Sequence, residues 1–318
     1  MLNLVWFDDI YGDMIEYTGG KGASLSKMHK FQLPVPNGFS IVAPFFITFL
    51  QRNNLDNKIL ELINTINFDD FNSIDSVSEV IRKMITDTPM PHEFKKDVED
   101  YYNQLGGDAQ AVAVRSSSTA EDLDDASFAG QLETYLYVIG KDDLIDKIKQ
   151  CWASLYNGRA IFYRKEKGFD EKAVSISVVV QKMVNAEKAG VMFTVNPINK
   201  VRSEILVEAA WGLGEAVVSG LVTPDNYVVN KTNYEVVNEY ISEKEVMVIR
   251  DLSMKGVREV EVSKDLREAR VLTDDEMKKL VDLANKLEAF YGKPQDIEWA
   301  TEKGEIYLLQ SRPISTLG

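Results

Sequence analysis

The sequence is poor in the residues that build covalent crosslinks and zinc sites. It contains one cysteine, Cys151, and two histidines, His29 and His92, among 318 residues. A single cysteine excludes an intrachain disulfide and is typical of a protein from a reducing compartment. Two scattered histidines and one cysteine also exclude a zinc cluster. We expect Cys151 to be a small buried hydrophobic side chain rather than a nucleophile.

The sequence also lacks an excess of positive charge and any long apolar run. Its 36 basic and 50 acidic residues give a formal net charge of −14, whereas nucleic-acid-binding proteins usually carry the opposite sign. No apolar run approaches the roughly 20 residues that cross a bilayer. The first residues lack the basic region and apolar core of a signal peptide. We therefore expect a cytoplasmic protein that binds neither nucleic acid nor membranes.

Hydrophobic periodicity predicts an α/β (α+β) protein whose first half contains most of the helices. Residues 44–105 have helical periodicity with breaks, and residues 144–167 have the pattern of one continuous amphipathic helix. Residues 174–184 form a fully apolar strand pattern. We assign residues 1–185 to an N-terminal lobe that contains the glycine-rich loop, the helices and the Arg115 loop.

The second half of the sequence is rich in strand patterns. Several strands are predicted between residues 204 and 250, and residues 295–310 have the pattern of a hairpin. Thr273, followed three positions later by Glu276, predicts a capping box at the start of a helix. We assign residues 186–318 to a C-terminal lobe that contains this hairpin, and we expect a ligand cleft between the two lobes.

A glycine-rich segment surrounds Lys21. The order Gly19-Gly20-Lys21-Gly22 comes just before a predicted helix, where a lysine can bring its ammonium group near phosphates. The segment is not a Walker loop, because Ile15 occupies the position of the first glycine and Gly22 that of the Ser/Thr. A plain turn-to-helix junction explains the same residues, and both interpretations stay open.

Arg115 ends an apolar strand, at a position from which ligand-facing groups emerge in α/β proteins. Four consecutive hydroxyl residues follow it at positions 116–119 without a regular pattern. Together with Gly130 and Thr134, they are predicted to fold over phosphate oxygens through hydroxyl and backbone N–H donors. The alternative is a surface arginine paired with one of the acidic residues between positions 121 and 125.

Gln181 closes the most apolar strand of the sequence. A glutamine in that position can hydrogen-bond the polar edge of a flat heteroaromatic ring that lies in a hydrophobic slot. The alternative is a strand-end side chain in water.

The C-terminal hairpin contains a carboxylate, an amide and a guanidinium. Glu298 and Gln310 are on strands joined by a tight loop, and both side chains face the same way if their cross-strand register is even. Oxygen atoms of Glu and Gln suit Mg²⁺, whose shell phosphates and water then complete. Arg312 shares a face with Gln310 and would bind the same phosphates in bidentate fashion. The alternative is an edge hairpin with outward polar residues.

Four segments of the sequence together resemble a known family. They are residues 19–25, residues 115–131, residues 212–220 and residues 310–313. In this order they resemble the ATP-binding domain of phosphoenolpyruvate synthase, pyruvate phosphate dikinase and rifampicin phosphotransferase. The resemblance extends over about residues 4–316.

This resemblance implies an ATP-grasp fold, in which two α/β lobes hold Mg-ATP. Members of the family cleave ATP to AMP and phosphates, and the β-phosphoryl group travels on a histidine of a separate swivelling domain. A third domain binds the final acceptor, which is pyruvate, a rifamycin antibiotic or another molecule. Neither His29 nor His92 has the setting of the phosphohistidine. We therefore expect the phosphohistidine and substrate domains in the same parent chain or in a separate subunit.

The resemblance also implies a set of nucleotide contacts. They are Lys21, Arg115, Gly130, Thr134, Gln181, Met183, Val184, Glu298, Gln310 and Arg312. In this interpretation Lys21, Arg115 and Arg312 form a catalytic phosphate clamp that stabilises charge rather than forming covalent bonds.

Two further roles follow from the same resemblance. Glu298 and Gln310 correspond to the Mg²⁺ ligands, and the chain from Gln181 through Met183 and Val184 corresponds to the wall beside the adenine. The sequence thus predicts an ATP-dependent phosphotransferase of the dikinase type. Its alternatives are a non-catalytic nucleotide-binding regulatory module and an ATP-grasp ligase that releases ADP.

Overall fold

The chain forms two compact units in a computed structural model. The described residues are 3–9, 14–119, 133–169, 174–254 and 256–314. The first unit comprises Met1–Lys30 and Asn37–Met183, and the second comprises Phe31–Pro36 and Val184–Gly318. The chain therefore leaves the first unit twice, after Lys30 and after Met183.

The first unit combines helices with one antiparallel sheet. Its elements are β1 (Leu4–Trp6), a 3-10 turn (Phe7–Asp9), α1 (Ile15–Lys30), β2 (Gly38–Ile41), α2 (Ala43–Arg52), α3 (Asp56–Ile63), α4 (Phe71–Asp87), α5 (His92–Leu105), β3 (Val112–Ser118), β4 (Thr134–Val138), α6 (Lys141–Ser154), α7 (Gly158–Lys167) and β5 (Ile176–Lys182). The sheet has the strand order β1-β2-β5-β3-β4.

Two expectations about local structure in this unit are wrong. The continuous helix predicted for residues 144–167 is broken into α6 and α7. Asn157 caps α7, because its side-chain oxygen accepts a hydrogen bond from the Ala160 N–H at 2.7 Å, and this cap requires an extended backbone between the helices. The hydroxyl residues at positions 116–118, predicted to be irregular, continue strand β3.

One face of the five-stranded sheet packs against helices. Val112, Val114, Val178 and Val180 alternate along β3 and β5, are fully buried, and join a cluster with apolar side chains from α2, α4, α5 and α6. Burial of each such side chain contributes about 1.5–3 kcal/mol to folding. Cys151 is buried in this cluster, as expected for a small hydrophobic side chain.

The opposite face of the sheet lies against α1 and is lined by small residues. Ser40, Ser117 and Ser177 occupy the alternate positions on β2, β3 and β5, and all three are fully buried. A Cβ atom on Gly22 of α1 would lie 2.8 Å from Ser40 Oγ. Glycine at this position therefore lets the helix backbone approach the sheet closely.

The second unit is richer in strands. Its elements are β6 (Lys188–Phe193), β7 (Glu204–Trp211), α8 (Glu215–Val218), β8 (Asp225–Asn230), β9 (Val236–Tyr240), β10 (Val246–Arg250), β11 (Val257–Glu261), α9 (Lys264–Arg267), α10 (Asp274–Tyr291), β12 (Gln295–Glu302) and β13 (Glu305–Pro313). An antiparallel sheet has the order β13-β12-β6-β7-β8-β9, and β10 pairs with β11 in a separate two-stranded sheet. The predicted α/β class is therefore confirmed.

Helix α10 and the C-terminal hairpin form as predicted. The Thr273 side chain accepts from the Glu276 N–H while the Glu276 carboxylate accepts from the Thr273 N–H, which completes the capping box. The buried face of α10, including Leu280 and Leu287, packs against β12 and β13. A cap of this kind stabilises a helix by about 1 kcal/mol.

A short N-terminal segment, Phe31–Pro36, belongs to the second unit. The Phe31 ring stacks on Phe290 at the end of α10, with ring centroids 4.3 Å apart. The Leu308 N–H of β13 donates to the Pro34 carbonyl at 2.8 Å. The last strand of this unit therefore contacts residues from near the start of the chain.

A buried ion pair ties the segment before β10 to strand β8. Lys244 and Asp225 are fully buried, and the Lys244 ammonium donates to Asp225 Oδ1 at 2.5 Å. The same carboxylate accepts from the Ser242 N–H at 3.0 Å, the Val271 N–H at 2.9 Å and the Tyr227 hydroxyl at 2.8 Å. Burial, and then this hydrogen bond to Asp225, raise the pKa of Tyr227.

In the part of the chain that the structure describes, none of the helices has both the length and the apolar character needed to cross a bilayer.

Candidate nucleotide site

Strand register places three predicted contacts on one face of the first unit's sheet. Arg115 on β3 lies directly opposite Thr134 on β4 and Val179 on β5. Gln181, two residues after Val179, lies opposite Ala113 and Gly38. Opposed residues share a face, as do residues two apart on one strand. Arg115, Thr134 and Gln181 therefore occupy the face that carries α1, away from the hydrophobic cluster.

Burial distinguishes between the interpretations of Arg115 and Gln181. Arg115 is 8% exposed and Gln181 is 2% exposed, so neither a surface arginine nor a strand-end glutamine in water describes them. Buried arginine and glutamine side chains require polar partners. Thr134, in contrast, is exposed at the first position of β4.

The hydroxyl residues after Arg115 bond to the protein backbone. Ser116 Oγ donates to the Glu133 carbonyl at 2.7 Å, and Ser117 Oγ donates to the Thr18 carbonyl at 2.9 Å. Thr119 Oγ1 donates to the Ser175 carbonyl at 3.1 Å. These hydroxyls stabilise the strand and its neighbours, so the prediction that they fold over phosphates is wrong for these three. Gly130 and the acidic residues at positions 121–125 lie outside the described residues.

Lys21 lies in α1 just after a kink in that helix. Gly19 has φ 67° and ψ 175°, so the helix restarts at Gly20. The Lys21 N–H donates to Ser117 Oγ at 3.1 Å, which fixes the start of the restarted helix against β3. Burial raises the pKa of the Cys151 thiol, the charge of Glu133 raises it further, and the nearby Lys21 ammonium opposes both effects. The hydrogen bond to Ser117 thus places the Lys21 backbone beside β3, the strand that carries Arg115.

The predicted adenine wall coincides with the second exit of the chain from the first unit. The Met183 N–H donates to the Ala111 carbonyl at 3.0 Å and so extends the pairing of β5 with β3. Met183 is the last residue of the first unit, and Val184 is the first residue of the second unit after this exit. Val184 is buried in a small apolar cluster with Ala189 and Ala300.

In the second unit, the C-terminal hairpin presents Glu298 and Gln310 together. The register places them directly opposite each other on β12 and β13, so their side chains emerge on the same face. Gln310 is 3% exposed. Arg312 lies on this face as well, and its Nη2 atom is 3.7 Å from Glu298 Oε1. The register condition on which the metal-site prediction depends is met.

Two carboxylates on this face were missed by sequence reasoning. Asp296 lies opposite Arg312 on β13. Glu208 on β7 lies in one row with Glu298, with Val191 of β6 between them. The two-residue spacing of Asp296 and Glu298 on one strand would have indicated the first. A single charged residue inside the apolar strand β7 would have indicated the second.

Burial and neighbouring negative charge raise the pKa of both Asp296 and Glu208. Burial raises the pKa of Asp296, the Arg312 guanidinium opposes this, and the charge of Glu298 raises the pKa further. Burial also raises the pKa of Glu208, and the charge of Asp296 adds to the effect. Asp296 Oδ1 is buried without a hydrogen-bond partner among the described residues. A bound cation would reduce the repulsion between the carboxylates and would give Asp296 Oδ1 a partner.

The oxygen donors of this face fit a magnesium ion bound mainly through a substrate. Glu298 and Gln310 offer a carboxylate and an amide oxygen side by side. Over the described ranges, no three His, Cys, Asp or Glu side chains gather closely enough to hold a metal by themselves. Mg²⁺ typically takes one or two carboxylates and completes its shell with phosphates and water.

Sequence comparison identifies the family of the chain. The profile of the family described as pyruvate phosphate dikinase, AMP/ATP-binding domain, matches residues 15–318. A probable phosphoenolpyruvate synthase from Methanocaldococcus jannaschii is 46% identical over 319 residues, which cover 99% of this chain and 27% of the relative. A rifampicin phosphotransferase from Bacillus cereus is 38% identical over 312 residues, which cover 98% of this chain and 36% of the relative.

Solved structures give a weaker similarity. The D-alanine–D-alanine ligase from Helicobacter pylori aligns with a TM-score of 0.33 and 10% identity over 76% of this chain and 54% of that one. An overlap of this size establishes no shared fold. The sequence match, in contrast, covers nearly the whole chain and confirms the resemblance found in the motifs. The chain belongs to the pyruvate phosphate dikinase AMP/ATP-binding domain family.

Proposed function

We propose that this chain is the Mg-ATP-binding phosphoryl-donor domain of a dikinase-type phosphotransferase. The observation that carries the proposal is the hairpin register that sets Glu298 opposite Gln310 and Asp296 opposite Arg312. A carboxylate, an amide oxygen and a guanidinium on one face are the groups that a metal-bound polyphosphate requires. The family match supports ATP as the ligand.

The proposed site residues of the second unit have distinct roles. Glu298 and Gln310 hold Mg²⁺, and Asp296 adds negative charge beside them. When bound, Mg²⁺ neutralises phosphate charge and aligns the phosphate oxygens. Arg312 binds the phosphates and keeps Glu298 oriented through the contact between the two side chains.

The first unit contributes cations and a place for the base. Arg115 and Lys21 bind phosphate oxygens and stabilise the charge that develops when the bond between the α- and β-phosphates breaks. Thr134, opposite Arg115, hydrogen-bonds the same phosphates. Gln181 and the chain through Met183 and Val184 bind the adenine. Gly130 keeps its proposed role as a phosphate contact.

The acceptor of the phosphoryl group lies outside this chain in our proposal. The chain spans 27% and 36% of the length of the two relatives, so those relatives contain further domains. We propose that a histidine on a separate swivelling domain or subunit accepts the β-phosphoryl group, that AMP leaves when the bond between the α- and β-phosphates breaks, and that water cleaves the bond between the β- and γ-phosphates to release inorganic phosphate. A substrate domain then passes the phosphoryl group to pyruvate, a rifamycin or another acceptor.

The test is the identity of the nucleotide product. The purified chain is incubated with Mg-ATP, alone and with a phosphohistidine domain from a related phosphoenolpyruvate synthase, and nucleotides are separated by ion-exchange chromatography. We expect AMP and a phosphorylated histidine only when the partner domain is present. A partner whose accepting histidine is replaced by alanine is the control.

Other products would contradict the proposal in distinct ways. ADP as the product would indicate a ligase that activates a carboxylate. Tight ATP binding without turnover in the presence of the partner would indicate a regulatory module. Rapid AMP formation by the chain alone would show that the acceptor is within this chain.

A further inference from the structure

Helix α1 restarts next to a serine of another element. Because Gly19 interrupts the helix, the N–H groups of the first turn after it have no acceptor within the helix. Ser117 Oγ on β3 accepts from the Lys21 N–H at 3.1 Å and from the Gly22 N–H at 3.4 Å, and it donates to the Thr18 carbonyl at 2.9 Å. One hydroxyl group thus makes all three hydrogen bonds that a serine side chain can make.

The geometry of Gly19 is matched to this serine. A Cβ atom at position 19 would lie 2.2 Å from Ser117 Oγ and 2.5 Å from the Ser117 carbonyl oxygen. The φ of 67° also favours glycine over residues with a Cβ atom. Gly19 therefore packs directly on Ser117, and the Ser117 hydroxyl accepts from the Lys21 N–H two residues later.

We propose that Ser117 is a positioning residue for Lys21, an inference that rests on the proposed function of Lys21 as a phosphate contact. Ser117 occupies the N–H groups of Lys21 and Gly22, so those groups are not phosphate donors. Lys21 acts through its ammonium group, and Ser117 sets the backbone from which that side chain extends. A fixed backbone reduces the entropy lost when the ammonium group meets a phosphate.

Two neighbouring serines provide matched controls. Ser116 is equally buried, but its hydroxyl donates to the Glu133 carbonyl and does not touch α1. Ser177 lies directly opposite Ser117 on β5 and is fully buried, and its hydroxyl has no partner within the described part of the chain. Replacement of either by alanine removes a buried hydroxyl without removing the contact to Lys21.

The first experiment measures the contact itself. Hydrogen–deuterium exchange of the peptide that contains residues 18–24 is followed by mass spectrometry in the wild-type chain and in the three alanine variants. We expect Ser117→Ala to speed exchange of about two amide protons in this peptide, because their acceptor is lost. The Ser116→Ala and Ser177→Ala variants should match the wild type. Unchanged exchange in Ser117→Ala would overturn the proposal.

The second experiment tests whether Ser117 acts through Lys21. Mg-ATP affinity is measured by calorimetry for the wild type, Ser117→Ala, Lys21→Met and the double variant. We expect Ser117→Ala to weaken binding about fivefold to tenfold, as the loss of a hydrogen bond predicts. In the Lys21→Met background the same substitution should change affinity less than twofold. A purely structural role would give the same loss in both backgrounds and would overturn the proposal.

The controls separate failure of this inference from failure of the proposed function. If wild type binds Mg-ATP and Lys21→Met weakens binding, but Ser117→Ala resembles Ser116→Ala, the inference falls and the function stands. If the wild type binds no Mg-ATP, both fall. Thermal melting checks that each variant is folded. Should Ser117→Ala unfold at the assay temperature, Ser117→Cys fills the same space with a weaker acceptor and is expected to give the same loss.

Discussion

Several buried hydroxyl groups of the first unit bond to backbone carbonyls, whereas the second unit contains a buried ion pair whose carboxylate accepts from further donors. Ser116 and Ser117 exemplify the first pattern, and the pair of Asp225 with Lys244 exemplifies the second. A hydrogen-bonded hydroxyl costs less free energy to bury than a charge does. A buried charge is held firmly only while its partner is present.

The same difference runs through the two sets of proposed ligand groups. Lys21 and Arg115 of the first unit are single cations set on well-packed backbone. Glu298 and Asp296 of the second unit are two residues apart on β12, and the charge of Glu298 raises the pKa of Asp296. A bound cation would reduce this repulsion. In the proposed function, the fixed backbone of Lys21 and Arg115 favours binding of an anion to the first unit. The negative charge of Asp296 and Glu298 favours binding of a cation to the second unit.

The largest expected effect comes from removal of the buried cation of the second unit. We expect Lys244→Met to lower the free energy of unfolding by about 3–5 kcal/mol, because the Asp225 charge is left buried without its counterion. Urea unfolding measures the change. Lys95→Met, which removes an exposed ion pair with Asp142, is the control and should change stability by less than about 1 kcal/mol. A similar loss of stability in both variants would show that the buried ion pair stabilises the fold no more than an exposed one.

The next effect concerns the proposed metal ligand. We expect Glu298→Ala to weaken magnesium-dependent ATP binding at least about a hundredfold, because a metal contact is worth several kcal/mol, while the melting temperature stays close to that of the wild type. Titration calorimetry with and without Mg²⁺ measures this. Glu305→Ala removes an exposed carboxylate from the same hairpin and should leave binding unchanged. Equal Mg-ATP affinity in Glu298→Ala and the wild type would exclude Glu298 from the site.

A smaller effect tests the hydroxyl pattern of the first unit. We expect Ser116→Ala to destabilise the chain by about 1 kcal/mol, because the Glu133 carbonyl loses the hydroxyl donor and keeps the Ser116 N–H and the weak Cys151 thiol contact. Ser177→Ala should be close to neutral, since its hydroxyl has no partner within the described residues. Urea unfolding of both variants checks the order. If Ser177→Ala is the more damaging, the hydroxyl-to-backbone bond is not what stabilises this strand.

The smallest effect is a pH dependence in the second unit. Burial works to raise the pKa of Glu276, but hydrogen bonds from Lys188 and Thr273 lower it below its ordinary value. The charged carboxylate therefore stabilises the fold above the unfolded pKa, and this stabilisation is lost as pH falls through the lower folded pKa. We expect Glu276→Gln, which keeps the cap, to destabilise by about 0.5–1 kcal/mol at pH 7.

The pH series provides its own control. The difference in stability between Glu276→Gln and the wild type should shrink as pH falls below the unfolded value of about 4.5. Thermal melts at neutral and acidic pH measure it. A difference that stays constant with pH would show that shape rather than charge explains the loss.

Local features of this fold could be predicted from the sequence. The capping box of Thr273 and Glu276 and the hairpin around Lys303-Gly304 depend on neighbouring residues, and both form as expected. The break between α6 and α7 is also local, since Asn157 and Gly158 mark it, but continuous apolar periodicity concealed it. Periodicity reports which side of a segment is buried and is insensitive to a short cap.

Features that join distant segments could not be predicted in the same way. The row of Glu208 and Glu298 depends on which strand lies between β7 and β12. The bonds from Ser117 to α1 depend on a kink nearly one hundred residues away. Both features depend on which distant segments pack together, and local patterns in a single sequence do not reveal this. The motifs predict phosphate and metal contacts for Arg115, Glu298 and Gln310 without this knowledge, because the residue types alone suit those ligands, and the assignment stays a prediction.

The path of Phe31–Pro36 has a consequence for synthesis on the ribosome. Pro34 accepts a hydrogen bond from Leu308, and Phe31 stacks on Phe290, so these two contacts form only after almost the entire chain has emerged. A C-terminal fragment that begins at residue 184 would therefore lack the Pro34 carbonyl that accepts from Leu308 and the ring that stacks on Phe290.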